Sequence, residues 1–192
     1  ANTRSMRVAG GLGTIPRIVG DAQEIYFGRI PIAEGLARID GLYRPYHTAL
    51  RGLVQRTQSV FGTCILVDAH SMPSAGLDRD GLAKSDIILG DRFGTSAGGY
   101  IIDIAEQAFT RLGLSVTRNR PYAGGFITEH YGAPASGVHA LQIEVNRALY
   151  MNEATLEPHA GFATLQEGIS RALADCFARW SGWLDEWREA AE

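Results

Sequence analysis

The sequence predicts an α/β domain with a mostly parallel or mixed central sheet and helices on both faces. Short apolar runs of strand length alternate with longer segments of helical periodicity, which is typical of βαβ units. The strand-like runs are almost continuously apolar, as expected in a sheet that is covered on both faces. The 192 residues, 45% of them apolar, suffice for one substantial core. We therefore expect a single domain over residues 1–192.

The first predicted elements are a long helix and two strands. Apolar residues recur at helical spacing from Ile32 to about Val60. Pro45 should kink or split this helix, because proline lacks a backbone N–H and clashes with the preceding turn. The run TCILVDA (63–69) then predicts a strand buried on both faces, and SDIILG (85–90) predicts a second.

The second half of the chain continues the alternation. AGGYIIDIAEQAFTRLG (97–113) predicts a helix that ends at its final glycine, and LSVTRN (114–119) predicts a third strand. HALQIEVNR (139–147) predicts a fourth strand with a period of two, and residues 161–189 predict a last helix.

Composition excludes several classes of function. The net charge is −3 and the basic residues are spread along the chain, which argues against nucleic acid or an anionic membrane as partner. No apolar stretch approaches the roughly 20 residues that span a bilayer. Cys64 and Cys176 lie in apolar patterns without a CxxC spacing, so we expect two reduced thiols in a cytoplasmic protein that binds a small molecule. Nothing in the sequence indicates an oligomeric state.

The opening residues are typical of the interior of a longer chain. ANTRSMRVAGG has neither an initiator Met nor a polar leader. We therefore expect the full-length protein to have an N-terminal segment that precedes Ala1.

Asp68 and His70 stand two residues apart at the end of a predicted strand. Alternate side chains of a strand leave the same face, so the carboxylate can lie beside the imidazole. This spacing suits an acid that orients a metal-bound histidine. A histidine that is merely hydrogen bonded at the rim of the sheet is the alternative.

Glu144 near the end of the fourth strand is a candidate general base. It shares one face with Gln142 and Asn146. A carboxylate close to a metal-bound water can accept a proton and pass it to a leaving nitrogen. The alternative is an ion pair between Glu144 and Arg147 or another arginine at the rim of the sheet.

The stretch NRPYAGGFITEHYG (119–132) predicts a loop that approaches a ligand. Gly124 and Gly125 allow the backbone to come close to a bound molecule, and Arg120 can hold a carboxylate through two parallel hydrogen bonds. An exposed loop with turn glycines and no ligand is the alternative.

Four segments together resemble the N-formylglutamate amidohydrolase family. They are DAHSMP (68–73), DIILGDRFGTS (86–96), NRPYAGGFITEHYGAP (119–134) and HALQIEVNRALYMNE (139–153). The resemblance covers nearly the whole chain, from NTRSMRVAGGLGTI (2–15) to the last helix. It implies a zinc-carboxypeptidase-like hydrolase fold, related in site design to aspartoacylase-type deacylases. It also implies hydrolysis of N-formyl-L-glutamate to formate and glutamate, a step of histidine degradation.

The resemblance also implies roles for individual residues. His70 matches a zinc ligand and Glu144 the general base, while Asn119, Arg120 and Tyr122 match the loop near the substrate. Zinc would polarise the formyl oxygen and lower the pKa of its bound water to about 7. Arg120 or Arg147 would bind a carboxylate of the glutamyl group.

One part of the family pattern does not occur in this chain. A catalytic zinc normally has three protein ligands, and the resemblance implies that others come from a segment of the SPHSG type, which this sequence lacks. We expect such a segment to precede Ala1. Two further hypotheses stay open at this stage: a carboxylate-binding domain without catalysis, and a deacylase of another N-acyl amino acid.

Overall fold

The chain divides into two compact units. The computed structural model describes residues 6–19, 22–75 and 85–191. One unit is Ala1–Leu53 and the other is Val54–Glu192. The opening residues 1–5, on which the expectation of a preceding segment depends, lie outside the described residues. The single domain over residues 1–192 stays a prediction.

The predicted long helix is interrupted ahead of Pro45. After the short α1 (Met6–Ala9), the chain forms α2 (Ile32–Arg38), a π-helical turn (Ile39–Tyr43) and α3 (Arg44–Phe61). Pro45 has no N–H to continue the α-helical hydrogen bonds of the preceding turn, so the predicted interruption is confirmed.

The second unit contains a four-stranded mixed sheet. Its strands are β1 (Cys64–Met72), β2 (Ile87–Gly90), β3 (Val116–Arg118) and β4 (Val138–Asn146). They lie in the order β1-β4-β2-β3, in which β1 and β4 are parallel, β2 and β3 are parallel, and β2 and β4 are antiparallel. The predicted α/β fold with a mixed central sheet is confirmed.

The remaining elements follow these strands. They are α4 (Gly99–Thr110), α5 (Phe126–Tyr131), a hairpin of β5 (Met151–Asn152) and β6 (Glu157–Pro158), and α6 (Gly161–Ala191). The stretch 119–132, predicted as a loop, therefore contains a short helix in its second half. No helix in the described part of the chain is long and apolar enough to cross a membrane.

The hydrophobic core lies between one face of the sheet and two helices. Leu141 and Ile143 of β4 point to this face, where they meet buried side chains of α4 and α6 such as Phe109 and Trp180. The indole Nε1 of Trp180 donates to the carbonyl of Ile101 at 3.3 Å, so the buried ring leaves its polar group satisfied. This packing leaves the opposite face of β4 available for polar side chains.

Both cysteines are free and buried, as predicted. Cys64 begins β1, and Cys176 is a residue of α6 whose side chain lies in the core. Burial raises the pKa of both thiols, that of Cys176 to about 11, so both stay protonated at neutral pH.

The prediction for the first strand is wrong in two respects. β1 is not buried on both faces, since several of its residues are partly or fully exposed and it lies at the edge of the described sheet. It also runs on to Met72, beyond the predicted end at Ala69, so His70 as well as Asp68 lies within the strand. An apolar run alone does not distinguish an edge strand from a central one.

Candidate active site

Four polar side chains share the face of the sheet opposite the core. In the parallel pair of β1 and β4, Asp68 is aligned with Gln142, and His70 is aligned with Glu144. Alternation along each strand places these side chains on one face, and Leu141 and Ile143 on the other. The register between the two strands therefore brings His70 and Glu144 together, although 74 positions separate them in sequence.

Asp68 and His70 are in direct contact. Oδ1 of Asp68 lies 3.0 Å from Nε2 of His70, and the two side chains are 16% and 48% exposed. A neutral imidazole that donates its Nε2 proton to the carboxylate presents the lone pair of Nδ1. This is the arrangement by which a carboxylate fixes the tautomer of a metal-binding histidine.

Glu144 is buried in a polar environment. The residue is 8% exposed, and its Oε1 accepts a hydrogen bond of 2.9 Å from Nε2 of Gln142. Burial raises the pKa of Glu144 above its ordinary value, His70 and Arg147 oppose this rise, and Asp68 adds to it. A raised pKa suits a carboxylate that accepts a proton and later returns it.

The loop that follows β3 packs closely over this face. A Cβ atom on Gly90 of β2 would lie only 2.7 Å from the carbonyl carbon of Ala123, and one on Gly124 would lie 2.4 Å from Oγ1 of Thr128. Gly124 also has a φ of +125°, which side chains other than glycine rarely adopt. These glycines allow the loop to contact the sheet beside Gln142 and Glu144.

Asn119 organises the base of this loop. Its Nδ2 donates to Oδ1 of Asp91 at 2.7 Å, and its Oδ1 accepts from the backbone N–H groups of Asp91 and Phe93 at 3.2 Å. The side chain therefore joins the end of β3 to the turn after β2. The predicted role of Asn119 at the substrate stays a prediction, and its contacts in the structure are internal.

The two arginines proposed as carboxylate ligands differ in their surroundings. Arg120 is exposed, and no ion pair with another described side chain involves it. Arg147 donates to Oγ of Ser71 at 3.2 Å and to the carbonyl of Ser71 at 3.3 Å, so it ties the end of β1 to the residues after β4. Tyr122 is half-buried in the same loop as Arg120.

Two residues of the site were not assigned a role from sequence. Gln142 was noted only as a neighbour of Glu144 on one face, yet it contacts both Glu144 and the loop, since its Oε1 accepts from the N–H of Gly125 at 2.8 Å. Arg92 lies in DIILGDRFGTS; its backbone N–H donates to the carbonyl of Ala123 at 2.8 Å, and its guanidinium lies 3.4 Å from Glu129. Both residues lie in segments that resemble the family, and Gln142 also has the period-two spacing, but neither signal gave them a role.

A cavity of about 300 Å³ also touches His70. It is lined mostly by apolar side chains of the β4 end and α6, including Val145, Phe162 and Ile169. Val145 points to the core face of the sheet, so this cavity lies on the α6 side and away from the side chain of Glu144.

The described residues fit one position of a zinc site. His70, oriented by Asp68, is a suitable nitrogen ligand. Within residues 6–19, 22–75 and 85–191, no three His, Cys, Asp or Glu side chains are grouped so that they could hold a metal ion. A catalytic zinc takes three protein ligands, so these residues do not form a complete set.

Comparisons with known proteins agree on one family. The family model for N-formylglutamate amidohydrolase matches residues 1–151. The chain is 30% identical over 172 residues to an N-formylglutamate deformylase of Pseudomonas aeruginosa, covering 88% of this chain and 65% of the relative. It is 34% identical over 128 residues to one of Pseudomonas putida, covering 66% of this chain and 48% of the relative.

A solved structure shares the fold. The crystal structure of N-formylglutamate amidohydrolase from Ralstonia eutropha JMP134 aligns with a TM-score of 0.82 and 34% identity, covering 95% of this chain and 65% of that chain. The present chain thus spans less than two thirds of the length of the relatives it matches. Because the family model matches most of this chain and a solved member shares the fold, the chain belongs to the N-formylglutamate amidohydrolase family.

Proposed function

We propose that the protein hydrolyses N-formyl-L-glutamate to formate and L-glutamate. The observation that carries this proposal is the buried Glu144, whose pKa is raised, on the same face as the Asp68–His70 pair. Relatives named for deformylation of N-formylglutamate support the choice of substrate.

Glu144 would act as the general base and then as the acid. It accepts a proton from the attacking water, whose oxygen forms the new bond to the formyl carbon. It then gives that proton to the amide nitrogen as the carbon–nitrogen bond breaks. The products are formate and glutamate; the second proton of the water passes from formic acid through solvent to the amine, and Glu144 returns to its ionised form.

His70 would supply one ligand to a zinc ion, and we propose that the other ligands lie outside the described residues. Zinc held there would act as a Lewis acid on the formyl oxygen and lower the pKa of its bound water. Asp68 contributes by keeping the proton on Nε2 of His70, which leaves Nδ1 as the ligand atom.

Arg120 is the favoured ligand for a carboxylate of the substrate. Its guanidinium is exposed and has no ion pair with another described side chain, whereas Arg147 already donates to Ser71. A planar guanidinium binds a carboxylate with fixed geometry, which would orient the formyl group relative to Glu144. Tyr122, Gly124 and Gly125 complete the loop on which Arg120 lies.

The test compares matched variants and substrates. The protein expressed from its complete reading frame is supplied with zinc and assayed with N-formyl-L-glutamate. Glu144→Gln should lower kcat by about 10²- to 10⁴-fold, because proton transfer is lost. Glu167→Gln is the control, since it makes the same change at an exposed carboxylate of α6 and should leave kcat unchanged.

Three other outcomes would contradict the proposal. Binding of N-formylglutamate in the presence of a chelator, without turnover under any metal condition, would indicate a carboxylate-binding domain. Faster turnover of N-acetyl-L-glutamate than of the formyl compound would indicate a deacylase with another substrate. An unchanged kcat in Glu144→Gln would remove Glu144 as the base.

A further inference from the structure

The side chain of Gln142 connects the proposed base to residues 119–125, the proposed substrate loop. It is 4% exposed and uses both ends of its amide. Oε1 accepts from the backbone N–H of Gly125 at 2.8 Å, and Nε2 donates to Oε1 of Glu144 at 2.9 Å.

The chemistry of the two partners fixes the orientation of this amide. A backbone N–H can only donate and an ionised carboxylate can only accept. Rotating the amide of Gln142 by half a turn would place its NH₂ group against the N–H of Gly125 and its oxygen against Glu144. Both contacts would then be repulsive, so the observed orientation is the one that satisfies both neighbours.

The bond from Gln142 restrains the carboxylate of Glu144. Burial removes much of the rotamer freedom of a Glu side chain, and a hydrogen bond to a carboxylate oxygen fixes its direction further. One of its two oxygens is held by Gln142 from two residues away on the same strand face.

The other bond restrains the loop. Gly125 precedes the first residue of α5 and follows Gly124, whose positive φ turns the chain towards the sheet. Arg120 and Tyr122 lie in the same loop. One buried amide therefore links the group that would move the proton to the segment that would hold the substrate.

We propose that Gln142 is a positioning residue that sets Glu144 and the substrate loop in a fixed relation to each other. This inference rests on the proposed deformylase activity. Misplacement of reacting groups by about 1 Å can cost about 10²-fold in rate, so the loss of either bond should appear in catalysis.

Two substitutions separate the two bonds. Gln142→Glu keeps an oxygen for the N–H of Gly125 but, when ionised, sets a second carboxylate against Glu144 in place of the donor, which displaces the Glu144 carboxylate. Gln142→Met has a similar length and loses both bonds. Gln107→Glu is the matched control, because it makes the same change at an exposed glutamine of α4 that accepts from Arg179.

The experiment measures kcat, KM and the hydrogen exchange of the Gly125 amide at a pH where carboxylates are ionised. Gln142→Glu should lower kcat about 10- to 100-fold, with KM nearly constant and the Gly125 amide still protected. Gln142→Met should lower kcat, raise KM and speed exchange at Gly125. Gln107→Glu should match the unaltered protein.

Several results would overturn the inference. If the unaltered protein is active and Gln142→Glu keeps its kcat within about twofold, Gln142 does not position the base, while the proposed function stands. If the unaltered protein shows no deformylase activity, both fall. Should the variants fail to fold, the side-chain NH₂ of Gln142 in the unaltered protein decides: exchange as fast as that of Gln107 would refute the buried bond to Glu144.

Discussion

Replacing Gly90 by alanine should displace the loop of residues 119–125 from the sheet. An added Cβ would lie 2.7 Å from the carbonyl carbon of Ala123, and 2.8 Å from the nitrogen of Gly124. Both atoms belong to the backbone, so no side chain can rotate to relieve the contact. The loop cannot retreat easily either, because the carbonyl of Ala123 accepts from the N–H of Arg92 at 2.8 Å.

The magnitude follows from these contacts. Overpacking of one methyl group against a rigid neighbour costs about 1–3 kcal/mol. Loss of one backbone hydrogen bond as the loop moves adds about 0.5–1.5 kcal/mol. We therefore expect Gly90→Ala to lower the free energy of unfolding by about 1.5–4.5 kcal/mol and to lower kcat/KM as well.

Urea unfolding followed by circular dichroism measures the first effect, and the deformylase assay measures the second. Gly99→Ala is the control, because a Cβ at Gly99 in the first turn of α4 would meet no atom within 4 Å. That variant should be as stable as the unaltered protein or slightly more so. A Gly90→Ala protein with unchanged stability and activity would refute the close packing of the loop on β2.

Three further predictions concern titration and metal binding. In metal-free protein, Glu144→Gln should be more stable than the unaltered protein at neutral pH, because the raised pKa of Glu144 means that its ionisation opposes folding. The difference in free energy of unfolding should grow as pH rises from 4.5 and then level off, and it should vanish at lower pH. Asp68→Asn should weaken zinc binding by about 10- to 100-fold in competition with a chelator, because His70 loses the partner that fixes its tautomer; equal affinity would contradict that role. Burial lowers the pKa of His139, so its contribution to stability should be complete above pH 6.5 and be lost as pH falls. The free energy of unfolding, measured by chemical unfolding, should therefore fall less steeply with decreasing pH in His139→Gln than in the unaltered protein. Identical pH profiles for the two proteins would contradict this.

The spacing of apolar residues correctly predicted where several strands and helices form. The strand at 87–90, the helix at 99–110 and the long final helix all form where apolar spacing predicts them. The interruption ahead of Pro45 follows from the missing N–H of proline. Local spacing also predicted that Asp68 lies beside His70, since residues two apart in a strand share a face.

The relations between strands could not be predicted in the same way. The antiparallel pairing of β2 with β4 and the edge position of β1 depend on contacts between distant parts of the chain. The two bonds of Gln142 depend on the strand register and on the approach of Gly125, neither of which leaves a local pattern. Placement near strand ends and the resemblance to the family both indicated His70 and Glu144, whereas the structure revealed the bond by which Gln142 links Glu144 to the loop.

The source of the oxygen in the product tests the central claim most directly. The protein from its complete reading frame, supplied with zinc, is incubated with N-formyl-L-glutamate in ¹⁸O-labelled water. We expect formate that carries one labelled oxygen, in equal amount to free glutamate, and a much smaller yield with Glu144→Gln. Absence of formate, or the same yield from the Glu144→Gln protein, would contradict it.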